Sequence, residues 1–245
     1  MFMRTVKMHV RSDDVSPFTR EYEKSIFPAF AETEGCLSAV LMQSTREPEE
    51  CTSLTFWRSE ADIRTYEESG NFGTLVDVLS PYFLESYELQ VRLTKDLKLD
   101  YAASNDPEVR KYELEDPDEA SSTEEFIVRM VSLRFRADTV DAFRKHYEEK
   151  VIPVLRAVPG CRYAFLAAPS DDKNELISVT KWESEEAAQA YEHGGQFDQI
   201  LESQRHFFAS LTDLKMHHDK NAAKHTATSD DVTVDKHKVL IGKRF

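Results

Sequence analysis

The sequence has few glycines, few cysteines and no long uninterrupted hydrophobic segment. Only 7 of its 245 residues are glycine, and neither GxGxxG nor GxxxxGK[ST] occurs, which argues against a glycine-rich phosphate loop. Its 3 cysteines are an odd number in a long chain, unlike the disulfide framework of a small secreted protein. No apolar run reaches the ~18 residues of a membrane-spanning helix. We therefore predict a cytoplasmic protein that has no membrane segment.

Positive charge is also scarce, since 31 lysines and arginines face 45 acidic residues and the formal net charge is −14. Such a chain repels the phosphate backbone, so we predict no nucleic-acid partner. The motifs HExxH, CxxC and GxSxG are absent as well, which leaves no recognisable metal or nucleophile constellation. Hydrophobic residues make up 40% of the chain and aromatic residues 11%, and this is enough for a packed core.

What the sequence does contain is an internal repeat. When the chain is shifted by 125 positions, residues 3–85 align with residues 128–210 without a gap, and 24 of the 83 positions are identical. Unrelated chains of ordinary composition would share about five. The two halves are therefore predicted to share one fold.

Each half has the same pattern of predicted elements. An alternating strand comes first, at residues 3–11 and 126–136. A helix with apolar residues at spacings of three and four follows, then two strands, further helix and a last strand, predicted at residues 86–94 and 211–218. This order is that of the ferredoxin-like fold. We predict an α+β protein in which two ferredoxin-like repeats form an intramolecular dimeric α/β barrel, a pseudo-dimer within one chain.

The predicted domain boundaries follow from the repeat and from composition. Residues 1–95 form the first repeat and residues 125–218 the second. Residues 96–124 are acidic and contain two Asp-Pro pairs, which is typical of a linker. Residues 219–245 form a polar tail that ends in a predicted strand. Further association of the fused barrel into a homo-oligomer stays open.

The end of the third strand carries a recurring set of residues. Trp57, Ser59 and Tyr66 recur at the same spacing as Trp182, Ser184 and Tyr191. Together with the order of elements, this resembles the antibiotic biosynthesis monooxygenase superfamily of dimeric α/β barrels. The resemblance covers both repeats, about two thirds of the chain, and its motifs are more specific for the fold than for the chemistry.

The resemblance implies a monooxygenase that uses no cofactor and oxidises a small aromatic or quinol-like substrate with dioxygen in an apolar pocket. The phenolic hydroxyls of Tyr66 and Tyr191 would be catalytic. The aromatic walls of the substrate pocket would come from the following residues: Trp57, Trp182, Phe72 and Phe197. The asparagine that this branch of the family uses has no evident counterpart here. Large aromatic residues also fill cores, so a purely structural role for each of them stays open.

Two alternatives remain at the level of sequence. The first is a protein that binds a small apolar ligand, or acts in stress, without catalysis. The second is a haem-binding member of the same superfamily. The family's haem-ligating histidine corresponds by spacing to Val76 and Leu201, which cannot bind iron, so only His206 and His193 remain as weak candidate ligands. No other metal site is predicted.

Overall fold

The structure of the chain is a computed structural model, and it describes most but not all residues. The described residues are 1–84, 89–93, 99–103, 107–114, 127–136, 138–170, 172–208, 215–217, 226–228 and 232–245. The chain divides into two compact units. The first unit comprises residues 2–110 and 240–245, and the second comprises Met1 and residues 111–239. Each unit contains one of the two repeats.

Among the described residues, the first unit contains four α-helices, six strands or strand segments of the first part of the chain, and the end of the final strand, Val232–Arg244. In chain order the helices and the first six strands are β1 Phe2–His9, α1 Val15–Glu21, α2 Phe27–Ala31, β2 Cys36–Ser44, β3 Glu50–Trp57, α3 Glu60–Glu68, α4 Asn71–Leu79, β4 Leu89–Leu93, β5 Leu99–Ala103 and the start of β6 Glu108–Leu114. Strand β3 pairs antiparallel with β1 on one side and with β2 on the other.

The second unit repeats this order. Its elements are the end of β6, β7 Ile127–Arg134, α5 Val140–His146, α6 Ile152–Ala157, β8 Cys161–Pro169, β9 Glu175–Trp182, α7 Glu185–His193, α8 Gln196–Gln204, β10 Lys215–His217, β11 Thr226–Thr228 and most of β12 Val232–Arg244. Strand β9 lies between β7 and β8, as β3 lies between β1 and β2. The prediction of two ferredoxin-like α+β repeats in one chain is confirmed.

The first helix of each repeat contains a π-helical turn, which joins α1 to α2 and α5 to α6. These turns span Tyr22–Ile26 and Tyr147–Val151. Each lies directly before a proline in the first turn of the next helix, Pro28 or Pro153. Proline has no N–H and its ring clashes with the carbonyl four residues earlier, so a regular α-helix cannot pass through this position. The wider π turn accommodates the proline and lets the helix continue.

The last strand of each repeat differs from its prediction. In the first repeat β4 lies within the predicted stretch, but it pairs with β5 instead of joining the sheet of β1, β3 and β2. In the second repeat β10 pairs with β11. The free edge of β2 is covered by the final residues of the chain, where the amide of Phe245 donates to the carbonyl of Leu37 at 2.9 Å. The edge of β8 is covered by β6, so neither edge exposes unpaired backbone groups there.

Each unit packs its helices on its sheet around one apolar core. Trp57 and Trp182 are fully buried at corresponding positions. Ser59 and Ser184 accept hydrogen bonds from the amides of Asp62 and Ala187 and thereby begin α3 and α7, as their sequence context predicts. Of the predicted linker, residues 96–124, the structure describes 99–103 and 107–114, which contain β5 and β6. Of the predicted tail, residues 219–245, it describes 226–228 and 232–245, which contain β11 and the long strand β12. Among the helices that the structure describes, none is long and apolar enough to cross a membrane.

Candidate active site in the second repeat

The second unit encloses a cavity whose floor comes from two strands. Arg129, Val131 and Leu133 alternate along β7, and Ser178 and Thr180 alternate along β9. Because successive side chains of a strand point to opposite faces, these residues share one face of the sheet. Arg129 is paired directly with Thr180 on one side. On its other side it is paired with a lysine of β12.

The helices form the opposite wall of this cavity. Its residues are spaced three or four apart on α8, and four apart along the helix that contains the π turn, so each set lies on one helical face. From α8 they are Phe197, Ile200, Leu201 and Gln204, and from the other helix Tyr147, Val151 and Leu155. Tyr191 of α7 completes the lining. The wall is therefore apolar, with two phenolic hydroxyls and one amide.

A buried arginine is the central charged group of the cavity. Arg129 donates from Nε to Oε1 of Glu192 at 2.8 Å. Lys236 of β12 donates from Nζ to the other carboxylate oxygen at 2.9 Å. Burial alone would raise the pKa of Glu192, but the two cations outweigh it and hold that pKa below its usual range. Glu192 is therefore ionised at neutral pH, and the cluster of one carboxylate and two cations carries a net positive charge.

Aromatic rings fix the plane of the Arg129 guanidinium. Its central carbon lies 4.2 Å from the ring centroid of Phe197 and 5.6 Å from that of Tyr191. Both distances are within the range of cation–π attraction. The side chain is only 2% exposed, and its Nη2 has no hydrogen-bond partner among the residues that the structure describes. A charged donor is thus buried, held in place and left available.

Hydroxyl groups hold the strands and helices of the site together. Tyr147 and Ser178 share a hydrogen bond of 2.6 Å between their hydroxyl oxygens. The indole of Trp182 donates to Oγ1 of Thr180 at 2.9 Å, and the ring of Trp182 stacks on that of Tyr191. Burial raises the pKa of Tyr191 to about 12, although Arg129 opposes this shift. The Tyr191 hydroxyl is therefore protonated at neutral pH and can donate a hydrogen bond, but it is not a phenolate base.

Gln204 is the second polar group without a partner in this cavity. It is 2% exposed, and its Nε2 finds no acceptor within the described part of the chain. Like Arg129 it lines the cavity, whose volume is about 20 Å³. Such a volume admits about one water-sized group. Both residues that carry an unpartnered N–H donor therefore line one small cavity.

The first repeat has most of the same groups at corresponding positions. Arg4 donates from Nε to Glu67 at 3.1 Å, and its guanidinium lies 4.4 Å from the ring centroid of Phe72 and 5.5 Å from that of Tyr66. Its Nη2 is also buried without a partner among the described residues. The Gln204 position, however, is occupied by Leu79.

The predicted aromatic site residues are found in three places: in the lining of the cavity, at the corresponding positions of the first repeat, and beside the two tyrosines. Tyr191 and Phe197 line the cavity, and Tyr66 and Phe72 hold the corresponding positions around Arg4 in the first repeat. Trp57 and Trp182 are buried beside these tyrosines, with ring centroids 5.2 Å and 5.0 Å away, and Trp182 is not part of the lining.

The two candidate histidines lie elsewhere. His193 and His206 are exposed, and neither lines the cavity. Leu201, which occupies the family's ligand position by spacing, does line it. The residues around this cavity therefore do not fit a haem that is ligated by histidine.

Sequence reasoning did not single out Arg129 and Gln204, although both left a signal. Arg4 and Arg129 are identical across the repeat, and Arg129 shares its strand face with Val131 and Leu133. Gln204 is the polar member of an otherwise apolar face of α8. A charged or amide side chain at a position where the periodicity demands an apolar one is the signal that marks such a site.

Comparison with known proteins identifies the family. The antibiotic biosynthesis monooxygenase (ABM) family matches residues 1–78 and, a second time, residues 126–203, which together are more than half of the chain. The chain belongs to the ABM family. Each match ends within the helix that follows the short tyrosine-bearing helix, so both matches include the arginine, the glutamate and the aromatic residues of the site.

Solved structures agree on the fold. A candidate monooxygenase of Lactobacillus acidophilus superposes with a TM-score of 0.63 at 11% identity, over 99% of this chain and 95% of its own. One of Fusobacterium nucleatum gives 0.63 at 8% identity, over 99% and 94%. An anthrone oxidase-like protein gives 0.58 at 11% identity, over 99% and 93%. No curated protein sequence matches significantly. Sequence identities this low support a shared fold and do not extend to function.

Proposed function

We propose that this member of the ABM family is a monooxygenase that uses no cofactor and oxidises a small aromatic or quinol-like substrate in the cavity of the second repeat. The observation that carries the proposal is the unpartnered Nη2 of Arg129 beside the aromatic wall of Phe197 and Tyr191. A positive donor next to apolar rings is suited to a flat molecule with one ionised oxygen. The anthrone oxidase-like relative directs the choice of test substrate.

The proposed chemistry needs no external reductant. A ring carbon bearing two hydrogens becomes a carbonyl, one oxygen atom of dioxygen enters the product, and the other leaves as water with both hydrogens. The four electrons that reduce dioxygen come from the substrate. The step begins when the substrate loses a proton and its anion transfers an electron to dioxygen, and a site that stabilises the anion favours that step.

Within this proposal each residue has a defined task. Arg129 stabilises the anionic oxygen of the substrate, and Tyr191 donates a hydrogen bond to the developing product, since its raised pKa keeps the proton on the hydroxyl. Glu192 does not take the substrate's proton, because two cations hold its pKa low. It keeps Arg129 in position instead. The proton passes to solvent as the anion forms.

The size of the cavity requires movement on binding. An aromatic ring is much larger than the approximately 20 Å³ present, so the proposal requires the cavity to widen when the substrate enters. Ile200 and Leu201 on α8 are both only half-buried, and the proposal requires their side chains to turn aside as the ring enters. Closure behind the ring would exclude water from the reacting anion.

Oxygen uptake tests the function. Purified, metal-stripped protein is offered anthrones and hydroquinones, with and without added haem. We expect uptake above the uncatalysed rate without haem, and we expect Tyr191→Phe to lower kcat by about 10²-fold, the usual effect of losing one such donor. Tyr66→Phe removes the matching hydroxyl of the first repeat and serves as the control.

Three results would contradict the proposal. Uptake only with haem would make a histidine ligand necessary. Equal rates in both tyrosine variants and the unaltered protein would remove the hydroxyl from the mechanism. Substrate binding without uptake would favour the alternative of a ligand-binding protein without catalysis.

A further inference from the structure

Two buried donors border the cavity of the second repeat, and together they define what fits there. Nη2 of Arg129 and Nε2 of Gln204 are both without a hydrogen-bond partner among the described residues, and both side chains are 2% exposed. A buried donor without an acceptor costs about 1–3 kcal/mol, and more when it is charged. Two of them at one cavity indicate an acceptor that the folded chain itself does not supply.

The charge of the surrounding groups selects an anion over a neutral acceptor. Arg129 and Lys236 both contact Glu192, so one negative charge is shared between two positive ones. Glu192 is only 7% exposed, which limits screening of the cluster by solvent. The cavity borders the arginine and therefore lies in a positive potential.

The volume selects the size of the anionic group. About 20 Å³ admits one oxygen atom or a group of similar size. Carboxylate, phosphate and sulfate groups carry two or more charged oxygens and would need more donors than these two. A phenolate or enolate presents a single oxygen, and its ring would continue toward the apolar wall of α8.

Six of the thirteen lining positions differ in the first repeat, and two of these differences change the donors or the space. Leu79 replaces Gln204, so of these two positions Arg4 alone carries a buried donor that has no partner among the described residues. Phe30 replaces Leu155, and its ring packs against those of Trp57 and Tyr66 at centroid distances of 6.3 and 5.8 Å. One donor is missing there, and a larger side chain occupies part of the space.

We infer that Arg129 and Gln204 form a two-donor site for a single phenolate or enolate oxygen, that each chain has one such site, and that Gln204 together with the smaller Leu155 makes the two repeats unequal. This inference rests on the proposed function for its choice of an aromatic ligand. Gln204 is thus a binding residue, which distinguishes the ionised substrate from its neutral form.

Titration with 4-nitrophenol tests the inference without any turnover, because its absorbance reports its ionisation. At a pH where the free phenol is half ionised, we expect one molecule bound per chain, with a pKa lowered by about one unit or more. Nitrobenzene has the same ring without the ionisable oxygen and measures the apolar contribution alone. In Gln204→Leu we expect affinity for the phenolate to fall about tenfold, the effect of losing one charged hydrogen bond, and affinity for nitrobenzene to stay unchanged.

The matched control is Leu79→Gln, which places the same side chain in the first repeat and should leave both affinities unchanged. Two phenolates per chain, an unshifted phenol pKa, or equal losses for both ligands in Gln204→Leu would overturn the inference. If Gln204→Leu does not fold, the stoichiometry and the pKa shift in the unaltered protein still decide the question.

The two proposals fail separately. A shifted phenol pKa together with no oxygen uptake on any substrate would support the anion site and contradict the proposed oxygenase activity. Oxygen uptake without preferential binding of the phenolate would support the oxygenase activity and contradict the two-donor site.

Discussion

The two repeats share a framework and differ in what they enclose. Both carry the arginine–glutamate pair, the tryptophan–threonine hydrogen bond and the tyrosine–serine hydrogen bond, with nearly the same distances. Most of the differences lie on the helices that face this framework, among them Leu79 and Phe30 in place of Gln204 and Leu155. Duplicated polar contacts maintain a fold in both halves, whereas an apolar face that changes between halves can give one of them a site.

The largest effect is expected when the buried arginine of the second repeat is removed. Arg129→Met leaves Glu192 buried with Lys236 alone, and breaking a buried pair costs about 3–5 kcal/mol. Urea unfolding measures this loss, and oxygen uptake by the folded fraction should fall by about 10²-fold.

Arg4→Met is the matched control in the first repeat. Its partner Glu67 is 26% exposed, so the loss of stability should be smaller and the uptake of oxygen should persist. Loss of uptake in Arg4→Met alone would reverse the assignment of the working repeat.

The next effect concerns the two glycines that precede the second strand of each repeat. Gly35 and Gly160 have φ of +83° and +82°, where a side chain costs about 1–2 kcal/mol. A Cβ at Gly160 would lie 2.5 Å from Cβ of Ala187, which has no side-chain torsion to move. A Cβ at Gly35 would lie at the same distance of 2.5 Å from Cβ of Asp62, which rotation of that side chain cannot move.

We therefore expect Gly160→Ala and Gly35→Ala each to destabilise the protein by about 3 kcal/mol, measured as a shift in thermal unfolding. Because Ala187 lies on the helix of Tyr191, only Gly160→Ala should also lower oxygen uptake. A larger loss of stability in Gly35→Ala would contradict this account of the two contacts.

Exchanging Leu155 and Phe30 tests whether the size of this apolar side chain separates the two repeats. Leu155→Phe brings the larger ring of the first repeat into the cavity, and overpacking of this kind costs about 1–3 kcal/mol. We expect affinity for 4-nitrophenol to fall about tenfold. Phe30→Leu makes the opposite change in the first repeat and should create no second binding site, because Leu79 still offers no donor. Binding of two phenols by Phe30→Leu would show that volume alone, without the glutamine, separates the repeats.

The smallest effect is expected on the free energy of unfolding when the pH is lowered. The pKa of Glu192 is lowered in the folded state, so its stabilising contribution is present above the pKa of an unfolded glutamate, about 4.3. That contribution is lost as the pH falls below this value toward the folded pKa. Glu192→Gln should therefore flatten the acid limb of the stability curve, measured by urea unfolding between about pH 5 and pH 3. An unchanged acid limb would mean that Glu192 titrates normally.

Periodicity and internal repetition were sufficient to predict the fold of each repeat. The alternation along β7 and the spacings of three and four along the first helix lie in the sequence itself, and the gapless repeat confirms each element twice. The last strand was harder to predict, because pairing between β4 and β5, or between β2 and the final residues, depends on which segment reaches a free edge. Single-strand patterns carry no information about that choice.

The site was predictable only in part. Tyr191 and Phe197 stood out because aromatic residues recur across the repeat, and the resemblance to a known family assigned them to a pocket. Arg129 interrupts the apolar face of its strand, which the sequence shows, but only the structure establishes that the side chain is buried there. Gln204 lies outside the residues that the repeat conserves, so repetition hides it. Comparison of the two repeats emphasises identical residues, and Gln204 differs from its counterpart Leu79, so this comparison did not indicate it.

The most direct test of one working site per chain is the position of a bound phenol in a crystal. Crystals soaked with 4-bromophenol would give an anomalous bromine signal that locates each ring. The account predicts one bromine per chain in the second repeat, with the phenol oxygen in hydrogen-bond distance of both Arg129 and Gln204. A bromine beside Arg4 at equal occupancy, or a ring bound in the second repeat with its oxygen turned away from both donors, would contradict it.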